Sequence, residues 1–204
     1  MLVKICGLND LAGRDAAVAA GADLIGLNFF PASPRYVAPA QAAQLAAGVA
    51  VPKVGLFVEP EDAAIEAVLA AVPLDYIQPY TSAERARAIR ARFGRPVIRP
   101  VHVAAAADLP RFTEGADMLL LEAPPPEGAT RPGGNAATFD WTMLAGWKPG
   151  FPWLLAGGLT PETVAEAIRV TGAPGVDVSS GVERAKGVKD PDLIRAFIAA
   201  ARAA

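Results

Sequence analysis

A thiol, a carboxylate, a guanidinium and two glycine-bearing loops are the groups in this chain whose types and surroundings suit chemistry. Cys6 is the only thiol, set in Lys4-Ile5-Cys6-Gly7 where an apolar run meets a glycine. A cysteine acts as a base or nucleophile as its thiolate, and its ordinary pKa is about 8.5. Lys4 lies two positions back, on the same face of an extended chain, and could lower that value. Glu122 ends the apolar run Met118–Glu122. A carboxylate in that place costs free energy unless it is solvated or used, and burial would raise its pKa toward a general acid's range. Arg35 sits between Pro34 and Tyr36, so a stiff loop could present its guanidinium as a two-pronged donor to a carboxylate. Gly157-Gly158 precedes Thr160-Pro161, and Ser179-Ser180-Gly181 follows another apolar run. Both loops could aim backbone N–H groups at a phosphate, and Thr160-Pro161 reads as the start of a helix whose positive end adds to the attraction. Each group also has a plainer reading: an inert core cysteine, solvated charges, glycines that only make turns. His102, the single imidazole, reads as a satisfied or exposed polar residue at the end of an apolar run.

The elements that would position these groups alternate regularly. Apolar runs at Leu2–Cys6, Leu24–Phe29, Lys53–Val58, Tyr76–Gln78, Val97–Val103, Met118–Glu122, Trp153–Ala156 and Val176–Ser179 read as strands covered on both faces, as in a parallel sheet. Helices are expected at Asp10–Ala20, Pro39–Ala47, Glu61–Ala71, Ser82–Phe93, Ala104–Phe112, Phe139–Ala145, Pro161–Val170 and Asp190–Arg202. Eight strand–helix units predict an α/β chain folded as one (β/α)8 TIM barrel over residues 1–204, in preference to an open doubly wound sheet. In such a barrel the chemistry lies at the C-terminal ends of the strands, where every candidate above falls. The Pro/Gly-rich stretch from Ala123 to Asn135 follows the sixth strand and reads as an active-site loop.

Composition narrows the partners. The 204 residues carry a net charge of −2, without the basic excess of a nucleic-acid binder. One cysteine allows no intrachain disulfide, and one cysteine with one histidine are too few soft ligands for a structural zinc site. No uncharged apolar run nears the roughly 18 residues that cross a bilayer, and the first residues do not read as a signal peptide. The expectation is a cytoplasmic protein with a small phosphorylated substrate, no metal, cofactor, nucleic acid or membrane partner, and a monomeric or homodimeric state.

Several segments together resemble the phosphoribosylanthranilate isomerase family of tryptophan biosynthesis. They are Lys4-Ile5-Cys6-Gly7-Leu8, Gly21-Ala22-Asp23, Ser33-Pro34-Arg35-Tyr36-Val37, Val54-Gly55-Leu56-Phe57-Val58, Phe139-Asp140-Trp141, Ala156-Gly157-Gly158-Leu159 and Val176–Glu183. The resemblance runs nearly end to end. It implies a cofactor-free Amadori rearrangement, from the phosphoribosyl aminoaldose of anthranilate to its 1-deoxyribulose aminoketose. It also implies that Cys6 is the base, the sixth-strand carboxylate the acid and Arg35 the anchor of the anthranilate carboxylate. The Gly158 and Ser180–Gly181 loops would hold the phosphate, and Gly157, Asp177 and Ser179 belong to the same matching segments. The chain departs from the family pattern at Glu122, where Asp is usual, and at Tyr80, where His is usual. It departs again at Asn135-Ala136 of the sixth loop and at Asn28 of the second strand. Asn28, Tyr80 and Glu122 all fall near strand ends and are expected to line one pocket. Such clustered departures leave open a paralogous isomerase of a related phosphorylated sugar amine, or a non-catalytic binding barrel.

Overall fold

The computed structural model describes all 204 residues. Eight parallel strands form the barrel: β1 (Leu2–Ile5), β2 (Leu24–Asn28), β3 (Lys53–Val58), β4 (Tyr76–Tyr80), β5 (Ile98–His102), β6 (Met118–Glu122), β7 (Trp153–Leu155) and β8 (Gly175–Val178). Their hydrogen-bonded order is β4-β3-β2-β1-β8-β7-β6-β5, and a parallel bridge between Ile77 and Val97 brings β4 against β5. Helices α1 (Leu11–Ala19), α2 (Pro39–Ala46), α3 (Asp62–Ala71), α4 (Ala83–Phe93), α5 (Val164–Thr171) and α6 (Pro191–Arg202) surround it. Beyond β8, the short antiparallel pair β9 (Glu183–Ala185) and β10 (Val188–Lys189) flanks the barrel mouth. No helix is long and apolar enough to cross a membrane.

Side-chain alternation sorts the strands into two cores. Odd-numbered residues such as Val3, Ile5, Ile25, Leu27, Leu119 and Leu121 join the helices' Ala16, Ile65, Ile89 and Phe197 in the outer core. Even-numbered residues face inward, and Leu24, Val54, Ile98, Leu120 and Leu154 fill the barrel. Burying each such side chain contributes about 1.5–3 kcal/mol. Continuing along the same inward rows toward the C-terminal ends reaches Lys4, Cys6, Asn28, Gln78, Tyr80 and Glu122, so the register that fills the core also aims these polar groups into the mouth.

Local signals set most helix ends. The Asp10 carboxylate accepts from Gly13 N–H at 2.7 Å and Ser82 Oγ from Arg85 N–H at 3.1 Å, starting α1 and α4. Asp190 caps α6 with Pro191 in its first turn. Three expectations fail. Residues 104–112 hold only the 3-10 turn Ala106–Asp108: the Asp108 carboxylate accepts from both Ala104 and Ala105 N–H, and Pro110 cannot donate to extend a helix. Residues 139–145 hold only the 3-10 turn Trp141–Leu144, closed by Asp140 and followed by Gly146 at φ 77°. Finally, α5 starts at Val164, not Pro161, because Thr160 N–H donates to Thr163 Oγ1 at 3.0 Å in a separate turn.

Candidate active site

One cavity, about 770 Å³ including its open mouth, sits at the C-terminal ends of the strands. That is the size class of pockets for small ligands. Cys6 and Glu122 both line it, as do Arg35, Asn28 and Tyr80. Asp177 and the loop residues Gly157, Gly158, Ser179, Ser180 and Gly181 complete the wall. The topology thus brings together every residue that the sequence marks for chemistry or substrate contact.

Cys6 follows directly on β1 and is buried. Burial pushes its thiol above the ordinary value, outweighing the opposing pull of the Lys4 charge. The expected lowering by Lys4 is therefore real as an influence but loses to desolvation. Lys4 Nζ donates to Asp177 Oδ1 at 2.7 Å, deep in the barrel. Burial alone would lower the lysine's pKa, but Asp177 and the Cys6 sulfur outweigh it and raise it to about 12. The pair fixes a positive charge beneath the thiol, and Asp177 reaches the cavity wall already paired.

Glu122 stands at the end of β6, only 5% exposed. Burial raises its pKa, while the nearby His102 imidazole and Tyr80 hydroxyl pull it back part of the way. His102 Nε2 lies 3.5 Å from Glu122 Oε1, and that oxygen has no hydrogen-bond partner. Burial, with Glu122 beside it, also keeps the Tyr80 phenol protonated. The carboxyl is thus bracketed by two donors and biased toward its acid form. The long sixth loop seats on this pair: a Cβ at Gly133 would fall 2.2 Å from the Tyr80 hydroxyl and 3.0 Å from Glu122 Oε1. Only glycine fits so close an approach.

Arg35 lines the cavity and holds a carboxylate of the protein itself. Its two-pronged face is already filled, with Nε donating to Glu183 Oε1 at 2.6 Å and Nη2 to Oε2 at 3.0 Å. Nη1 points to the Gly134 carbonyl at 3.4 Å. Glu183 also accepts from buried Lys189 and from Gly187 N–H. Burial would raise its pKa, but these donors bring it down to about 2. Asn28 works on the loop that carries Arg35: it donates to Ser33 Oγ, which accepts from Arg35 N–H.

The phosphate-type loops meet edge to edge. Gly157 and Gly158 adopt φ 89° and 65°, and Gly181 passes so near the Leu159 carbonyl that a Cβ would overlap it. The turn Ser180–Val182 follows β8, and its Ser180 and Gly181 line the cavity. The helix start expected at Thr160-Pro161 lies further on, at Val164, so no helix N-terminus stands directly behind the Gly157-Gly158 loop.

Four contributors escaped the sequence reading. His102 reads from the sequence as a satisfied or exposed polar residue, and its approach to Glu122 depends on pairing between β5 and β6 at His102↔Glu122. Gln78, with a buried Oε1 that has no partner, faces the cavity from β4. Gly133 and Arg131 lie in a loop whose composition signals only irregular backbone. Strand-parity counting back from Tyr80 on β4 finds Gln78; nothing local marks the others.

A family model described as N-(5'-phosphoribosyl)anthranilate (PRA) isomerase matches residues 3–200. The N-(5'-phosphoribosyl)anthranilate isomerase of Paracoccus denitrificans is 59% identical over 208 residues, spanning 98% of this chain and 97% of that protein. Solved monomers of the dimeric phosphoribosylanthranilate isomerase from Thermotoga maritima superpose with a TM-score of 0.84 at 34% identity, covering both chains fully. A phosphoribosylanthranilate isomerase solved with reduced 1-(o-carboxyphenylamino)-1-deoxyribulose 5-phosphate gives 0.83 at 35% identity, again over both whole chains.

Proposed function

This chain belongs to the N-(5'-phosphoribosyl)anthranilate isomerase family, and from that premise we propose how its own residues divide the work. The enzyme converts N-(5-phosphoribosyl)anthranilate to 1-(2-carboxyphenylamino)-1-deoxyribulose 5-phosphate in tryptophan biosynthesis. The observation that carries the assignment of roles is the convergence of one buried thiol and one buried carboxyl on a single cavity.

Glu122 is the general acid. Burial biases it toward its acid form, and it lines the cavity with its Oε1 free of any hydrogen-bond partner. Protonation of that oxygen breaks the C1–O bond, and the nitrogen lone pair forms the Schiff base. Cys6, as thiolate, then takes the C2 proton, and the C2–H electrons neutralise the iminium to give an enolamine. Loss of the enol proton and protonation at C1 yield the ketone. The loop amides of Gly157, Gly158, Ser180 and Gly181, with Ser179 beside them, hold the phosphate. Arg35, braced by Glu183, offers its Nη1 edge to the anthranilate carboxylate. Asn28 keeps the Arg35 loop in place, and Tyr80 and Asp177 shape the wall around the acid and the base. One chain carries this whole set, so we propose that a monomer suffices for catalysis in the cytoplasm.

Replacing Asp by Glu at the acid moves the donor by about one carbon–carbon bond, and the Tyr80 hydroxyl and His102 set its place from either side. Complementation of a tryptophan auxotroph lacking this isomerase tests the reading. Growth with the wild-type chain and none with Cys6→Ala is expected; growth that is indifferent to Cys6 overturns the role of the thiol.

A further inference from the structure

The charge around the Arg35 edge of the cavity does not balance. Arg35, Lys189 and Arg131 gather near a single carboxylate, Glu183. Both oxygens of Glu183 are taken, by Arg35, Lys189 and Gly187 N–H. Asp177, the other nearby acid, is paired with Lys4. Arg131 makes no ion pair: its Nη2 donates to the Gly134 carbonyl at 3.1 Å, and its Nε is buried with no partner. Arg35 Nη1 points at that same carbonyl. Two guanidinium groups therefore converge on one neutral oxygen at the cavity wall, and burial together with the Arg35 charge disfavours the charged form of Arg131. A half-buried cation with unused donors facing a cavity fits an anion from the ligand.

We propose that Arg131 is a specificity-determining residue that pairs with the substrate's aryl carboxylate, beside the Nη1 edge of Arg35. This rests on the isomerase reading and deepens it. The phosphate already has the glycine and serine amides of the seventh and eighth loops, whereas Arg35 has lost its two-pronged face to Glu183 and can offer the carboxylate one edge alone. Arg131 supplies the missing donors. It reaches the site from the sixth loop, and its own turn is knit by Asn135 Nδ2 donating to the Arg131 carbonyl at 3.0 Å.

The test compares two ligands on the intact enzyme: the reduced amine analogue of the product, and the same compound without its ortho-carboxyl. Binding constants are measured for wild type, Arg131→Met and Arg131→Lys, with inorganic phosphate as a third ligand. The wild type is expected to prefer the carboxyl-bearing ligand, and Arg131→Met to lose about 10- to 100-fold of that preference, the span of a charge-assisted hydrogen-bonded contact. Affinity for the carboxyl-free ligand and for phosphate stays within about twofold, and Arg131→Lys recovers part of the preference. Equal weakening of both analogues would make Arg131 a loop brace and overturn the proposal. Loss of phosphate affinity with the preference intact would assign Arg131 to the phosphate and overturn it too. Failure of the wild type to bind either analogue would instead sink the isomerase reading itself.

Discussion

Two arcs of the barrel are built differently. From β1 to α4, every strand is followed by an α-helix, and each helix packs on the outer core. From β5 to β7, two successive connections hold only 3-10 turns, and the chain from Ala123 to Asp140 runs without a regular element. The first arc carries the base, its lysine and the Arg35 clamp, on a strand and a loop fixed by buried ion pairs. The second carries the acid, its histidine and the loop that roofs both. A base that must meet one C–H bond gains from a rigid mount. An acid beneath a loop gains from a roof that can admit and seal a substrate. The helix-poor arc thus carries the loop that covers the acid, and the helix-rich arc carries the fixed mount of the base.

The comparison breaks first on chemistry. Cys6→Ala and Glu122→Gln are each expected to lower kcat by about 10²–10⁴-fold, the range of one general acid or base, with little change in melting temperature. A large loss for one and a trivial loss for the other would mean that a single arc does the chemistry. Next comes stability. Lys4→Met strands Asp177 in the barrel and should cost about 3–5 kcal/mol in urea unfolding, whereas removing the half-exposed His102 should cost far less. Equal costs would erase the distinction between a rigid and a loose arc. Third, Gly133→Ala pushes the loop off Tyr80 and Glu122, for an expected drop in kcat of about 10²-fold with unfolding unchanged.

The smallest effect concerns pH. Glu183 falls from an ordinary 4.5 unfolded to about 2 folded. The unfolded chain therefore binds that proton first on acidification. The stabilisation is fully present above about 4.5 and is lost as pH falls toward 2. Glu183→Gln should flatten the acid limb of the stability curve over that window, and an unchanged limb would show that the Arg35 clamp adds nothing to the fold.

How much of this was written locally differs between the arcs in the same way. The strands of both arcs read correctly because continuous apolar runs have few alternatives, and α1, α4 and α6 carry side-chain caps that announce them. Helices at 104–112 and 139–145 were expected from short Ala-rich or amphipathic stretches, and Pro110, Gly146 and the Asp108 and Asp140 turns defeated them. Cys6 and Glu122 stood out as reactive groups at the ends of apolar strands. The pairing of Arg35 with Glu183 joins residues 148 positions apart, and no local pattern foretells it. His102 needed the β5–β6 register, and Arg131 needed the path of an irregular loop, so neither could be placed before the fold was known.

The account turns on Glu122 holding the proton that Cys6 lacks in the productive form, with burial raising the pKa of both groups. The decisive measurement is kcat/KM against pH for wild type and Glu122→Gln. In the wild type, activity follows a bell, limited on the acid side by protonation of both groups and on the alkaline side by loss of the pair's last proton. Without the carboxyl, the residual activity should climb with thiolate formation and level off at alkaline pH, with no falling limb. A bell of unchanged shape in Glu122→Gln would contradict the assignment of the acid, and with it the two-sided site.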